Sequence, residues 1–411
     1  MNNKKIILSI EGIRGFAAIY VMLGHIVQLY QPYVFFPGLE FVIKTLFGYG
    51  HQAVILFFIM SGFSIHYSSS KYNFSDRRQI TDYLFKRFRR IYPLFLMALI
   101  ISFVVLYITQ TPSDWVRNSL SFVFLTDISK GCIADPIPTN FPIWSLSYEV
   151  IYYLLYPLIL WLKDKIGLKR VLIISIIISL IAGVFELSGL QNHLSNVFQL
   201  YWIWVVGAVI AEYKMNNKQV VLKYKEGVLM SALAMMFTLE KLTLLRDWAW
   251  GLFFSIIIFS FFVTNNKTTG TQKLVSITLS LITILGCYFL TFNDQVLFHP
   301  GLVRYILYAF AAGSLVFVLI PFHYFQSLLR LLLLPFIKTG SFSYAVYIFH
   351  WPSIILLKYI FQNQLKDSLV MLMTVIVLNI FLVMIWSWYA EVKLQPQVAK
   401  VLNNWFYKTH K

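Results

Sequence analysis

Charge is scarce in this sequence, and acid is scarcer still. Only 12% of the 411 residues are Asp, Glu, Lys or Arg, and the 17 acidic residues face 34 basic ones. A soluble domain carries about a quarter of its residues charged, so a water-facing globule of this length is excluded. There are two cysteines, Cys132 and Cys287, far apart in the chain. They support neither a disulfide framework nor a thiolate metal site. No histidine pair has HxxxH or similar ligand spacing, so no resident metal is expected. Low-complexity stretches, flexible linkers and short internal repeats are also missing. Whatever the protein does falls to helices and short loops.

What fills the sequence is apolar: 59% hydrophobic residues and a mean hydropathy of +0.70. The apolar runs recur at bilayer-spanning spacing, which predicts an all-α, polytopic transmembrane helix bundle of 10–12 spans, twelve being the best count. The expected centres are Val21, Phe58, Ile100, Tyr152, Ser175, Val205, Leu233, Ile256, Leu281, Ala312, Ile348 and Ile376, the seventh and ninth being weakest. The first run is too long, and too poor in small residues at its end, for a cleaved signal peptide, so it reads as a retained helix.

The formal net charge of +17 invites a nucleic-acid reading, but its distribution argues otherwise. Lys71, Arg77, Arg78, Lys86, Arg87, Arg89 and Arg90 fall in the second connection, and later even-numbered connections stay basic. Odd-numbered ones are poorer, although the contrast weakens after the sixth. This is the positive-inside pattern of a multi-pass protein of the inner or plasma membrane with both termini cytoplasmic. Residues 1–392 read as a single membrane domain and 393–411 as a short basic cytoplasmic tail. The longest external loop, Thr111 to Asn140, is long enough for a lid or part of an acceptor site.

Several polar residues stand where lipid would penalise them. Arg14 and His25 lie eleven residues apart in the first run. That is three helical turns plus about 20°, so they share a face about 16 Å apart along the axis, with Glu11 one turn before Arg14. A snorkelling Arg beside a packed His is the competing reading. The second span carries Ser61-Gly62, a small-residue patch suited to close approach by a helix or ligand. Its His66 reads as interfacial. Arg87 and Arg90 share one side of a helical turn, where guanidinium forks suit a phosphate-bearing ligand. Glu149, two residues after Ser147, has no cation one turn away and needs a partner from another helix or a proton. Tyr347 and His350 share a face, as a packed polar cluster or as a cavity wall. His51, His193 and His299 fall in or near external loops.

In order, Glu11-Gly12-Ile13-Arg14-Gly15 with His25, Phe57-Phe58-Ile59-Met60-Ser61-Gly62-Phe63, Arg87-x-x-Arg90-Ile91-Tyr92-Pro93, Trp144-Ser145-Leu146-Ser147-Tyr148-Glu149 and Ser343-Tyr344-Ala345-Val346-Tyr347-Ile348-Phe349-His350 resemble the acyltransferase-3 family of integral membrane acyltransferases. The resemblance runs through nearly the whole chain. It implies O-acylation, most often O-acetylation, of extracytoplasmic glycans from a cytoplasmic acyl-CoA. Arg14 and His25 match the family's essential Arg and His, and Arg87 and Arg90 its paired Arg. Two departures stand out. Ala53-Val54-Ile55 replaces the common Gly-Val-Asp, and Glu11 stands where many members have Asp. The C-terminal esterase-like domain of some relatives is not found here, which implies direct acylation of the acceptor or a separate extracytoplasmic partner.

The residues and the resemblance together predict one mechanism. Arg87 and Arg90, with Arg14, bind the polyphosphate of acyl-CoA, a co-substrate and not a resident cofactor. His25 is general base or transient acyl carrier, and Glu149 orients or charge-balances His25 or Arg14. Glu11, Ser61, Ser147, Tyr347 and His350 line the cavity. Expected partners are acyl-CoA, a glycan or glycolipid acceptor and membrane lipids, with no nucleic acid. The rival from another class is a transporter or flippase of a lipid-linked glycan. It fits less well because no two-fold repetition is evident.

Overall fold

In a computed structural model, the chain is described over residues 3–30, 47–73, 75–218, 228–229, 231, 243–263, 270–290 and 322–409. Among these residues there is no β-strand, only an isolated bridge between Thr126 and Ala134. The main helices are α1 (Asn3–Tyr30), α2 (Gly50–Ser69), α3 (Arg77–Thr109), α4 (Trp144–Ile166), α5 (Leu168–Leu187), α6 (Tyr201–Met215), α7 (Thr243–Phe262), α8 (Gly270–Leu290), α9 (Phe322–Leu333), α10 (Ser343–Ile360), α11 (Leu369–Trp388) and α12 (Gln395–Thr409). Eight stretches are long and apolar enough to cross a membrane. The count rises to nine if Gln326–Gly340 and Ser343–Ile360, bent by 75°, form one broken span. The polytopic bundle expected from the sequence is therefore present, while the described residues give eight or nine spans where twelve were expected. The expected centre at Leu281 falls on α8, and those at Leu233 and Ala312 lie outside the described residues.

Two backbone-to-backbone crossings organise the interior. At Gly62 on α2, an added Cβ would sit 1.9 Å from the Trp204 carbonyl oxygen of α6, and at Gly207 it would sit 2.0 Å from the Ile59 oxygen. Gly62 of the Ser-Gly patch therefore serves helix packing. The second crossing sets α1 against the turn before α10: a Cβ at Gly340 would lie 2.1 Å from the Glu11 oxygen, and one at Gly15 2.1 Å from that of Phe336. Lipid gives apolar helices no hydrophobic reason to associate, so close contact through small residues has to supply the attraction.

Three prolines interrupt the helices that carry the polar residues, and each leaves the carbonyl four residues earlier without its helical partner. In every case a side chain from a distant element takes that place. Gln395 Nε2 donates to the Arg89 oxygen freed by Pro93 at 2.5 Å. The Tyr83 hydroxyl donates to the Tyr153 oxygen freed by Pro157 at 3.1 Å. Asn140 Nδ2 donates to the Ile348 oxygen freed by Pro352 at 3.0 Å. Inside a bilayer, where water is scarce, such re-satisfaction is what makes helix prolines tolerable.

The segment expected to be a short basic tail is, over its described part, the helix α12. It lies against the N-terminal half of α3: Phe406 stacks on Phe85 with centroids 3.8 Å apart. Asn403 accepts from Arg89 and Tyr407 donates to Asp82. In the loop after α3, burial, followed by the nearby Asp135 and Asp127, pushes the free Cys132 thiol up and keeps it protonated.

Candidate functional site

Two cavities meet in the middle of the bundle. The chamber, about 120 Å³, is lined among others by Arg14, Ser61, Arg87, Arg90, Glu149 and Tyr153. The vestibule, about 360 Å³, is lined among others by His25, Gln28, Gly50, His51, Phe141 and Trp144. Val54 and Tyr347 line both, so their side chains form the partition between them.

The chamber is cationic, but its three guanidinium groups are not equivalent. Arg14 projects from α1, half-buried, with no hydrogen-bond or ion-pair partner among the described residues. Arg87 touches only neutral groups. Its Nη2 lies 3.1 Å from Ser69 Oγ and 3.4 Å from Ser68 Oγ, its guanidinium sits 5.3 Å from the Tyr83 ring centroid, and its Nε is buried without a partner. Arg90 is already neutralised by Glu391, which is buried and also accepts from the Ala345 N–H at 2.8 Å. Charge-assisted binding capacity for an anion is therefore concentrated in Arg14 and Arg87.

Glu149 faces the same chamber, and its partners are hydroxyl groups. Ser61 Oγ donates to it at 2.6 Å, and the Tyr153 hydroxyl, one turn along α4, donates as well. Ser61 in turn accepts from Trp204 Nε1 at 3.1 Å. The acid is thus fixed by α2, α4 and α6 together and lies on the chamber side of the partition, while His25 lies in the vestibule.

His25 has one nitrogen committed. His350 Nδ1 lies 3.1 Å from the Val346 carbonyl oxygen, which can only accept, so Nδ1 carries the proton and His350 Nε2 is left as an acceptor. His25 Nδ1 lies 2.7 Å from that Nε2 and must donate to it. In this neutral pair the lone pair of His25 sits on Nε2, which faces Gly50 at the start of α2: a Cβ built there would be 3.8 Å away. Trp351 stands edge-on to the His25 ring at 4.8 Å and 85°, which fixes its plane. A histidine whose inner nitrogen is tied and whose outer nitrogen is a free base can take a proton or attack a carbonyl carbon.

Tyr347 is held at the partition by donating to the Pro142 oxygen at 2.8 Å, with Ser145 Oγ at 2.8 Å. The paired guanidiniums, the tied histidine and Tyr347 between them come from the five sequence blocks noted above, and comparison with known proteins agrees. The acyltransferase-3 family profile, described as an acyltransferase domain, matches residues 7–392. The chain belongs to the acyltransferase-3 family. It is also similar to the acyltransferase MdmB of Streptomyces mycarofaciens, 31% identical over 167 residues, covering 39% of this chain and 41% of that protein. The chain thus aligns with about two-fifths of this relative's length. No solved structure matches.

Set against the family pattern, Arg14, Arg87, Arg90, Ser61, Glu149 and Tyr347 gather at one chamber, and His25 at the adjoining vestibule. Glu11, Ser147 and His350 are not among the residues lining either cavity; His350 is fully buried and supports His25 from behind. Glu11 abuts Gly340 through its backbone. Ser147 is two residues from Glu149, about 200° around the helix, and its hydroxyl is buried without a partner among the described residues. His66, expected at an interface, is fully buried, bonded to Glu212 at 2.8 Å and Tyr156 at 3.1 Å. Other residues matter as well: Glu391 and Gln395 brace α3 next to the chamber, Tyr153 lines it, and His51, expected in or near a loop, lines the vestibule with Asp247 behind it. Glu391, Gln395 and Asp247 find their partners on distant elements, so no local pattern marks them.

Proposed function

We propose that this protein O-acylates a glycan, taking an acetyl group from cytoplasmic acetyl-CoA and delivering it to a hydroxyl of a cell-surface or lipid-linked saccharide. In this reading it sits in the inner or plasma membrane with both termini in the cytoplasm, so the Arg-lined chamber faces the cytoplasmic donor and the vestibule the extracytoplasmic acceptor. The observation that carries the reading is the pairing of compartments: unneutralised guanidinium groups on one side of Val54 and Tyr347, and a free imidazole nitrogen on the other.

Each residue then has a task. Arg14 and Arg87 hold phosphate oxygens, and Arg90, tied to Glu391, keeps the end of the chamber in shape. The pantetheine arm extends along the chamber until the thioester reaches the partition. His25 Nε2 meets the acyl carbon, as transient carrier or as base for the incoming hydroxyl. The first turn of α2 has no side-chain cap and opens onto the vestibule at Gly50 and His51. Its free N–H groups stand where negative charge on the carbonyl oxygen would develop. Glu149 carries no chemistry on this account and sets the chamber's shape and charge. A separate extracytoplasmic partner is not required, because the acceptor can enter the vestibule directly.

The test is purified protein in lipid nanodiscs with acetyl-CoA, together with alkali-labile acetyl groups measured on envelope glycans of expressing cells. His25→Gln should bind acetyl-CoA as the parent does and lose transfer by about 10²–10⁴-fold. Retained transfer in a well-expressed His25→Gln protein would remove His25 from the mechanism. A parent protein that binds no acetyl-CoA and is needed for glycan export would favour a transporter.

A further inference from the structure

The vestibule contains a second histidine in a different electrostatic setting. His51, in the first turn of α2, lies with Nε2 2.7 Å from Asp247 Oδ2 of α7. A carboxylate only accepts, so Nε2 donates and the free lone pair of neutral His51 is on Nδ1. Asp247 is buried and further held by Arg246 Nε at 3.4 Å from Oδ1. The His51 ring stacks on Trp144 at 5.4 Å and 14°, and its side chain keeps 29% of its surface open. It lines the same cavity as His25 and follows Gly50, the residue that His25 Nε2 faces.

The two histidines have unlike partners. His25 leans on a neutral imidazole, and among the described residues no carboxylate hydrogen-bonds either ring of that pair. His51 leans on a carboxylate, the arrangement that fixes a base's tautomer and stabilises the imidazolium it becomes. A cavity holding both is equipped for two different steps.

We propose that His51, positioned by Asp247, is the base for the acceptor hydroxyl, while His25 carries the acyl group across the partition. This rests on the acyl-CoA reading above and takes the carrier alternative for His25. In the first step the Nε2 lone pair of His25 bonds to the acyl carbon. The carbon–sulfur bond breaks and CoA leaves as thiolate with the electron pair. In the second step the acceptor O–H bond breaks and its proton passes to His51 Nδ1. The hydroxyl oxygen bonds to the acyl carbon, and the carbon–nitrogen bond breaks with its electrons returning to His25. His51 then releases the proton to water at its open edge.

The experiment uses the full chain in nanodiscs, rapidly mixed with acetyl-CoA while free thiol is recorded. In parallel, transfer of labelled acetyl into alkali-labile glycan is followed in membrane vesicles from the native host. His51→Gln and Asp247→Asn are expected to release the first equivalent of CoA at the parent's rate and then stall, with transfer into glycan down about 100-fold or more. Imidazole added to His51→Gly should restore transfer, which a packing role would not allow. His25→Gln should release no first equivalent. Transfer by His51→Gln within threefold of the parent overturns the proposal. So does loss of the first equivalent in a His51→Gln protein that still binds acetyl-CoA, or failure of imidazole to rescue a folded His51→Gly. A parent that binds no acetyl-CoA defeats the donor reading itself, and the proposal falls with it.

Discussion

Arg87 and Arg90, the two chamber-lining arginines ahead of Pro93, should fail in different ways when removed. Arg87 meets only the hydroxyls of Ser68 and Ser69 and the face of Tyr83, so its charge is available to a ligand. On the proposed acetyl-CoA reading, replacing it with alanine should remove one charge-assisted phosphate contact, about 1.5–3 kcal/mol, or roughly 10- to 150-fold in acetyl-CoA affinity. Fold stability should scarcely change, because the groups left behind are neutral. Arg90 is bound to Glu391, whose side chain is 1% exposed while that of Arg90 is 42% exposed. Arg90→Ala strands a buried carboxylate. The full penalty for a wholly buried pair is about 3–5 kcal/mol. The open side of Arg90 reduces this to about 1–3 kcal/mol of stability, with a smaller direct effect on donor binding. Double substitution Arg90→Ala with Glu391→Gln should recover much of that stability. Isothermal titration with acetyl-CoA and thermal unfolding in the same nanodiscs separate the two effects. The reasoning is refuted if Arg90→Ala weakens binding as much as Arg87→Ala at an unchanged melting temperature.

Three further substitutions probe the frame around the site. Asn140→Leu removes the donor to the Ile348 carbonyl freed by Pro352 and should cost about 1–3 kcal/mol, read as a lower melting temperature; an unchanged one would mean that carbonyl needs no partner. Val54→Phe enlarges the partition shared by both cavities, so acetyl-CoA binding should stay within a few-fold while glycan acetylation is lost; normal acetylation would show that the acyl group travels elsewhere. Gly340→Ala places a methyl 2.1 Å from the Glu11 oxygen and should destabilise by about 1–3 kcal/mol or more as α1 is displaced; full yield and stability would contradict the crossing.

Where the sequence spoke clearly, it did so through position along one helix. Arg14 and His25 share a face of α1, and that alone foretold a polar path through the bundle. The structure adds that the path is divided, because the partition is made by Val54 and Tyr347 from two other helices. The Arg87–Arg90 spacing pointed to an anion site but not to unequal roles, since Glu391 reaches Arg90 from about 300 residues away. Glu149 was marked by its isolation on α4 and Ser61 as a cavity residue, yet nothing in either segment joined the two as donor and acceptor. His51 looked like a loop histidine because its meaning depends on Asp247, on a helix with no sequence pattern to connect them. Nine of the twelve expected span centres fall on the eight or nine spans of the described residues; Leu281 falls on α8, and Leu233 and Ala312 lie outside the described residues.

The Gln395 amide that caps the Arg89 carbonyl is 306 residues further along the chain. A ribosome therefore finishes the helices carrying Arg14 and Arg87 long before it supplies the group that satisfies the carbonyl Pro93 frees in α3. Until residues 391–395 arrive, the Arg89 carbonyl has no donor from Gln395 and Arg90 has no counter-charge from Glu391. The Arg-lined chamber is thus among the last parts of the molecule to reach its final form, so on the proposed reading a chain cut short before residue 391 should insert in the membrane yet bind acetyl-CoA poorly. Chains stopped at 388 and full-length chains, compared for membrane yield and acetyl-CoA binding, would show it; equal binding by both would mean the chamber forms without its last-made part.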